Sequence, residues 1–135
     1  MSSLHRVIGF GVVALFALGW IWGLAAKLAR RCPGDGYWVW LTAAQVVAAA
    51  QAVLGTILLL VGRWLEAEGP LGGILHYVYG YLPLLLFVFA HVIARAGDAR
   101  AIGIDRPVQP WVPFAWASFI SFGLTLRALM TGLGM

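Results

Sequence analysis

The chain has 135 residues, of which 62% are hydrophobic and only 10% are charged, and its mean hydropathy is +0.91. Soluble domains carry about 25% charged residues, so the composition excludes an ordinary soluble protein. The formal net charge of +4 would suit a nucleic-acid partner. We expect no nucleic-acid binding, because the basic residues cluster in the short connections between apolar segments, where they act as a topology signal.

Four apolar segments reach the length of about 20 residues that a helix needs to cross a bilayer. They cover about 4–28, 37–61, 73–94 and 111–133. Short connections make consecutive helices antiparallel neighbours. The sequence therefore predicts a single all-α integral membrane domain, 1–135, folded as an up-and-down bundle of four transmembrane helices in contact with membrane lipids.

The distribution of basic residues predicts the orientation of this bundle. Two connections hold six of the nine Lys and Arg residues: Lys27, Arg30, Arg31, Arg95, Arg100 and Arg106. Because such residues concentrate on the cytoplasmic side, we expect both termini to lie outside, in a multi-pass protein of a bacterial-type plasma membrane.

The first predicted helix begins with His5 and Arg6, and Gly9 follows the histidine by four residues. Further along, Gly19 and Gly23 form a GxxxG pair, which permits close approach of another helix. For this pair we favour packing within the bundle over dimerisation.

The second predicted helix opens with Tyr37, Trp38 and Trp40, a composition typical of an aromatic belt at the membrane interface. Gln45 and Gln51 follow within the apolar run. Since an amide in hydrocarbon needs a partner, we expect both to face protein and to form hydrogen bonds between helices.

The third predicted helix repeats the histidine and glycine spacing with His76 and Gly80. Positions four apart lie about 40° apart on a helix. A glycine one turn from a ligating histidine therefore leaves room for a porphyrin against the helix. His5 and His76 fall at the same predicted depth, on two helices that run parallel in an up-and-down bundle.

Two such histidines can supply the axial ligands of a b-type haem. On this interpretation the haem iron is bound by His5 and His76, Gly9 and Gly80 accommodate the macrocycle, and cationic side chains pair with the propionates. The basic residues on the same predicted side are Arg6, Arg63 and Arg127. The alternative is that His5 is a solvated terminal residue and His76 an interfacial one.

His91 lies 15 residues beyond His76, near the opposite membrane face. No second histidine accompanies it, so we expect no second haem. A hydrogen bond to Gln45, or solvation at the interface, is the preferred interpretation. Next to His76, the cluster of Tyr77, Tyr79 and Tyr81 fits either a quinone pocket or an aromatic belt.

Three short motifs carry a resemblance to a known family: His5-Arg6-x2-Gly9, Gln51-x2-Leu54-Gly55 and His76. With them the chain resembles one half of a heme A synthase, in which each half is a four-helix bundle that brings paired histidines to a haem. The resemblance implies that His5 and His76 are the ligand pair. Because that enzyme contains two such halves, we do not expect this chain to be an enzyme on its own.

A second, local resemblance covers the opening of the chain and His76-x3-Gly80. Ser2-x-Leu4-His5-Arg6-Val7-x-Gly9 is similar to the membrane anchor of succinate dehydrogenase. There the serine and arginine contribute to a quinone site, and a later His-x3-Gly binds haem.

Together these features predict a small haem b protein for electron transfer, or for haem or quinone binding. We expect it to act in a larger respiratory or photosynthetic membrane complex, or as a homo-oligomer. The alternative function is that of a cofactor-free accessory subunit, which the small-residue helix faces and the scarcity of polar chemistry would suit.

Overall fold

The computed structural model describes residues 3–62 and 72–134. Its helices are α1 (Ser3–Leu28), α2 (Asp35–Leu60), α3 (Gly72–Ala96) and α4 (Trp111–Gly132), and each is long and apolar enough to span a membrane. The chain is thus a multi-pass membrane protein, and the four predicted spans are confirmed to within a few residues. Which end faces which side of the membrane stays a prediction.

The helices form the predicted up-and-down bundle, with α4 at its structural centre. Helix α4 packs along both α1 and α3, and α2 packs mainly on α1. Of the helices that follow one another in the chain, α2 and α3 contact each other least. The core between the helices is aromatic and aliphatic, with Phe16, Leu41, Phe87 and Phe114 among its most buried members.

The closest contact between helices joins α1 to α4. A Cβ built on Gly23 would lie 2.7 Å from the Cβ of Ala115, and one built on Gly19 would lie 3.4 Å from Ser118 Oγ. Both glycines are buried. The predicted role of the GxxxG pair in packing within the bundle is therefore confirmed, and at Gly23 the contact is so close that only glycine fits without a shift.

The predicted aromatic belt at the start of α2 is wrong for its first residue. Tyr37 is 0% exposed and packs edge-on against Trp22 and Trp38. The indole Nε1 of Trp40 donates a hydrogen bond to the Leu15 carbonyl, 3.0 Å away on α1. Because this face of α2 packs on α1, Tyr37 and Trp40 join the two helices.

The connection between α3 and α4 contains a small hairpin. Strands β1 (Asp98–Ala99) and β2 (Ile104–Pro107) pair antiparallel, with Asp98 opposite Pro107, and a 3₁₀ turn over Arg100–Ile102 joins them. Arg100 Nε lies 2.8 Å from a carboxylate oxygen of Asp105. The hairpin is too short to show alternating hydrophobicity, which is why the sequence did not predict it.

The α1–α4 contact yields a test of the fold. We expect Gly23→Ala to lower the free energy of unfolding by about 1–3 kcal/mol, because the new methyl group overlaps Ala115 and one backbone must move. The matched control is Gly11→Ala, on the same helix, where a Cβ meets nothing within 4 Å. This variant should stabilise the protein by up to about 1 kcal/mol, because alanine has the higher helix propensity and meets no clash. Unfolding in mixed micelles checks both, and equal effects would contradict the close-contact interpretation.

Candidate functional site

A cavity of about 70 Å³ lies between the four helices, near the first turns of α1 and α3 and the last turns of α2 and α4. We call it the histidine cavity, and its walls include His5, Gly9, Gln51, His76 and Gly80. It exists because the bundle interior changes composition along its length.

Towards the other end of the bundle the interior is filled by large rings. Phe16 of α1 and Phe87 of α3 stack there with their ring centroids 5.4 Å apart. At the level of the cavity the walls carry small residues instead, among them Ala48, Ala52 and Gly55 of α2. Since small side chains cannot reach across the bundle, space remains at this level.

His5 points into this space from α1 and is 6% exposed. A Cβ on Gly55 would approach the imidazole Cε1 to 3.3 Å, so the absence of a side chain on α2 makes room for the ring. The alternative interpretation of His5 as a solvated terminal residue therefore fails.

Gln51 ties α2 to the helix that carries His5. Its Nε2 donates a hydrogen bond to the His5 carbonyl over 2.8 Å. The predicted bond between helices is confirmed for Gln51, but the same prediction is wrong for Gln45, whose Nε2 bonds to Leu41 O on its own helix at 3.1 Å. The difference follows from position, because Gln51 faces α1 where it can reach a carbonyl of the first helical turn.

His76 is fixed across the α3–α4 contact. Its Nδ1–H donates to the Ala128 carbonyl, with 2.9 Å between the heavy atoms. A carbonyl oxygen can only accept, so this bond places the ring proton on Nδ1 and leaves the lone pair on Nε2. Histidines that ligate metals are held in the same way, with the second ring nitrogen donating to a carbonyl or carboxylate.

The two imidazoles lie side by side although their helices are diagonal in the bundle. The ring centroids of His5 and His76 are 6.1 Å apart and the ring planes are inclined by 54°. Two neighbouring imidazoles are the donor set that a haem iron would require from the protein. The cavity of about 70 Å³ is, however, smaller than a porphyrin.

The two glycines of the repeated spacing both line the cavity but differ in surroundings. A Cβ on Gly80 would meet no atom within 4 Å, whereas one on Gly9 would contact Gln51 Nε2 at 3.4 Å and Leu129 Cδ1 at 3.5 Å. The open side of the cavity is therefore next to Gly80, and Gly9 lies where α1 packs on α2 and α4.

The cationic residues expected near the haem are less closely associated with the cavity. Arg6 and Arg127 are exposed and neither belongs to the cavity wall, although they are chain neighbours of His5 and Ala128. Neither forms an ion pair within the described ranges. Arg63 lies outside the described residues.

His91 lies at the other end of α3, exposed, with the edge of its ring against Phe114. Its Nδ1–H donates to the Phe87 carbonyl of its own helix at 2.8 Å. The expected hydrogen bond to Gln45 is therefore wrong, because each side chain bonds to a carbonyl four residues earlier on its own helix.

One polar pair at the cavity was missed by the sequence analysis. Thr56 of α2 and Tyr81 of α3 form a hydroxyl–hydroxyl hydrogen bond where these helices otherwise contact little. Tyr81 and Tyr77 belong to the cavity wall, as does Thr125 of α4. The available signal was Thr56 itself, a hydroxyl at membrane depth for which a partner on a neighbouring helix is favourable.

Comparisons of the chain with protein-family models, with curated proteins and with solved structures found no match. The interpretation of the site therefore depends on its own geometry. Among residues 3–62 and 72–134, no group of three or more His, Cys, Asp or Glu side chains is placed to hold a metal ion.

The tie between Gln51 and α1 can be tested against Gln45. We expect Gln51→Leu to lower the free energy of unfolding by about 0.6–1.7 kcal/mol, the range for hydrogen bonds between transmembrane helices. Gln45→Leu removes a bond within one helix and should cost less. Unfolding in mixed micelles measures the difference, and an equal or larger effect at Gln45 would contradict the role given to Gln51.

Proposed function

We propose that the chain is a small membrane haem b protein in which His5 and His76 are the two axial ligands. The observation that carries the proposal is the pair of imidazoles in one cavity, with centroids 6.1 Å apart. When bound, a bis-histidine haem carries one electron at a time. We therefore assign the chain to electron transfer within a membrane assembly, without catalysis of its own.

The ligand count favours haem over a bare metal ion. Structural zinc sites take four protein ligands and catalytic ones take three. The histidine cavity offers two imidazoles, and no third His, Cys, Asp or Glu of the described residues joins them. Two axial nitrogens are the full protein contribution that an iron already held by a porphyrin requires.

His76 has the clearer ligand geometry of the two. The Ala128 carbonyl holds its Nδ1–H, so that Nε2 is the nitrogen available to iron. His5 is placed by its helix, by the space at Gly55 and by the bond from Gln51 to its backbone. Arg6 and Arg127 are the described cations closest in sequence to the cavity walls, and we assign to them the propionates.

The cavity of about 70 Å³ is smaller than a porphyrin, so haem binding requires helices to move apart. Helices α2 and α3 are the pair that can do so, because they have the weakest contact of the neighbouring helices; their separation would break the Thr56–Tyr81 bond at this level. Gly80 and Tyr81 are both exposed, which makes this the side through which the macrocycle reaches the surrounding lipid.

The opening between α2 and α3 faces the lipid, so a lipid quinone is a suitable electron partner. Tyr81 is 38% exposed at the cavity wall, and separation of α2 from α3 would release its hydroxyl from Thr56 towards a ligand that approaches through the bilayer. A membrane subunit in a larger complex, or a second copy of the chain, is the other route for the electron. The competing function is a cofactor-free accessory subunit, which predicts a colourless protein.

The decisive measurement is a dithionite-reduced minus oxidised spectrum of the purified chain, with haem quantified as the pyridine hemochromogen. We expect about one haem per chain, the stoichiometry of one bis-histidine site. His5→Ala and His76→Ala should each remove the b-type spectrum. His91→Ala is the matched control and should retain it, since His91 lies at the opposite end of α3. Colourless, folded protein after supply of haem would overturn the proposal.

A glycine variant separates ligand loss from steric exclusion. Gly80→Leu should prevent haem binding although both histidines remain, because the new side chain enters the space where a Cβ meets nothing within 4 Å. Gly123→Leu is the control, since Gly123 of α4 is equally open but lies outside the cavity wall. A normal spectrum in Gly80→Leu would show that the macrocycle does not lie against α3 at this position.

A further inference from the structure

The opposite end of the bundle carries a second pocket with different chemistry. It has a volume of about 340 Å³ and is formed where α1 ends and α4 begins. We call it the basic pocket. Its wall contains Lys27, Arg30, Arg31, Cys32, Gln109, Trp111 and Val112.

No acidic side chain of the described residues neutralises the charges in the basic pocket. Its wall contains three cations and no carboxylate. Within the described residues the ion pairs are those of Arg100 with Asp98 and Asp105, so Lys27, Arg30 and Arg31 have no acidic partner there. Three cations around one concave site attract an anion, and an arginine pair is well suited to a phosphate group.

Gln109 adds a polar donor that the structure already orients. Its Oε1 accepts hydrogen bonds from Trp111 Nε1 at 2.7 Å and from Cys32 Sγ at 3.5 Å. With the amide oxygen engaged by two donors, the amide NH₂ group remains as a donor towards a ligand.

Arg30 occupies a backbone position that normally belongs to glycine. Its φ is 54°, and among the described residues it is the one non-glycine with positive φ. Arg31 N–H bonds to Ala26 O and Arg30 N–H bonds to Lys27 O, both at 3.0 Å, which is the Schellman pattern that ends a helix. Glycine would avoid the conformational cost of this position. Arg30 lies there nevertheless, and its side chain lines the pocket.

The basic pocket continues into an apolar groove along the α1–α4 contact. The groove has a volume of about 80 Å³, and Lys27, Trp111 and Val112 line both it and the basic pocket. From these shared residues it extends along α1 and α4 past Trp20, Leu24 and Trp116. A polar, cationic site joined to an apolar groove on the lipid-facing side of two helices matches an amphiphile with an anionic head.

We propose that the basic pocket and this groove bind one anionic phospholipid. The phosphate of the headgroup lies among Lys27, Arg30 and Arg31, where Gln109 also donates, and an acyl chain follows the groove. Basic pockets between transmembrane helices on the cytoplasmic side recognise anionic headgroups by this chemistry. The inference is independent of haem binding, because it concerns the other end of the molecule.

The test is lipid binding to the full chain in detergent, measured by native mass spectrometry with phosphatidylglycerol and phosphatidylcholine of the same acyl chains. We expect phosphatidylglycerol to bind at least fivefold more tightly, roughly the effect of one juxtamembrane cation. Arg30→Gln should lose about that factor for phosphatidylglycerol alone. Arg106→Gln is the matched control, because it removes one exposed charge outside the pocket and should leave the ratio unchanged.

The variant Arg30→Gly controls for the possibility that loss of lipid binding reflects a folding defect. Glycine relieves the backbone at φ 54°, so the lipid-free protein should unfold at the same or a higher temperature. Lipid selectivity should nevertheless fall as far as in Arg30→Gln. Equal binding of the two lipids by the unaltered chain, or equal losses in Arg30→Gln and Arg106→Gln, would overturn the proposal and leave these cations as topology determinants.

Two further binding measurements distinguish a free phosphate ligand from a lipid. Water-soluble glycerol phosphate should bind at least tenfold more weakly than phosphatidylglycerol, since it gains nothing from the groove. Leu24→Trp fills part of the groove and should weaken phosphatidylglycerol but not glycerol phosphate. Equal affinity for the two ligands, with no effect of Leu24→Trp, would contradict a lipid site.

Discussion

The close approach of α1 and α4 determines where this bundle is closely packed and where it leaves a cavity. At Gly23 the two backbones are so near that even an alanine would overlap Ala115. Helix α4 also packs along α3, so α1 and α3 are both held by α4 while α2 is held mainly by α1. The α2–α3 side is left as the weakest contact. With small residues facing it from α2, that side cannot close at the level of His5 and His76, and the histidine cavity results.

The polar groups at this cavity are organised by backbone carbonyls. Hydrocarbon offers no hydrogen-bond partners, so a buried side chain must find them on its own helix or on a neighbour. Gln51 and His76 use carbonyls of neighbouring helices, at His5 and Ala128. Gln45 and His91 use carbonyls of their own helices, at Leu41 and Phe87. A hydrogen bond to a neighbouring helix fixes the two helices relative to each other at the cavity, which a ligand site requires. A hydrogen bond within one helix fixes only the rotamer of the side chain.

The same distinction separates what could be predicted from the sequence from what could not. Apolar segment length and short connections gave the four helices, and the depth of His5 and His76 followed from helix order. The partners of Gln45 and His91 depend on helix rotation, which the weak amphipathicity of a membrane helix hardly specifies. Tyr37 was assigned to the interface for the same reason, although it is 0% exposed. Helix α4 contributes Thr125 and Leu129 to the cavity wall. No sequence motif marks these two residues, so only the three-dimensional structure identifies them.

The two candidate sites lie at opposite ends of the same pair of helices. His5 and Lys27 are 22 residues apart on α1, which corresponds to about 33 Å along the helix. Between them runs the α1–α4 contact, and the proposed acyl chain lies along its outer surface beside Gly23 and Ala115. A lipid bound there would bury apolar surface on both helices and so hold α1 against α4. It would strengthen the α1–α4 contact without adding to the α2–α3 contact, and the proposed haem binding depends on separation of α2 from α3. Occupancy at the basic end would then stabilise the bundle while the histidine end stays able to open.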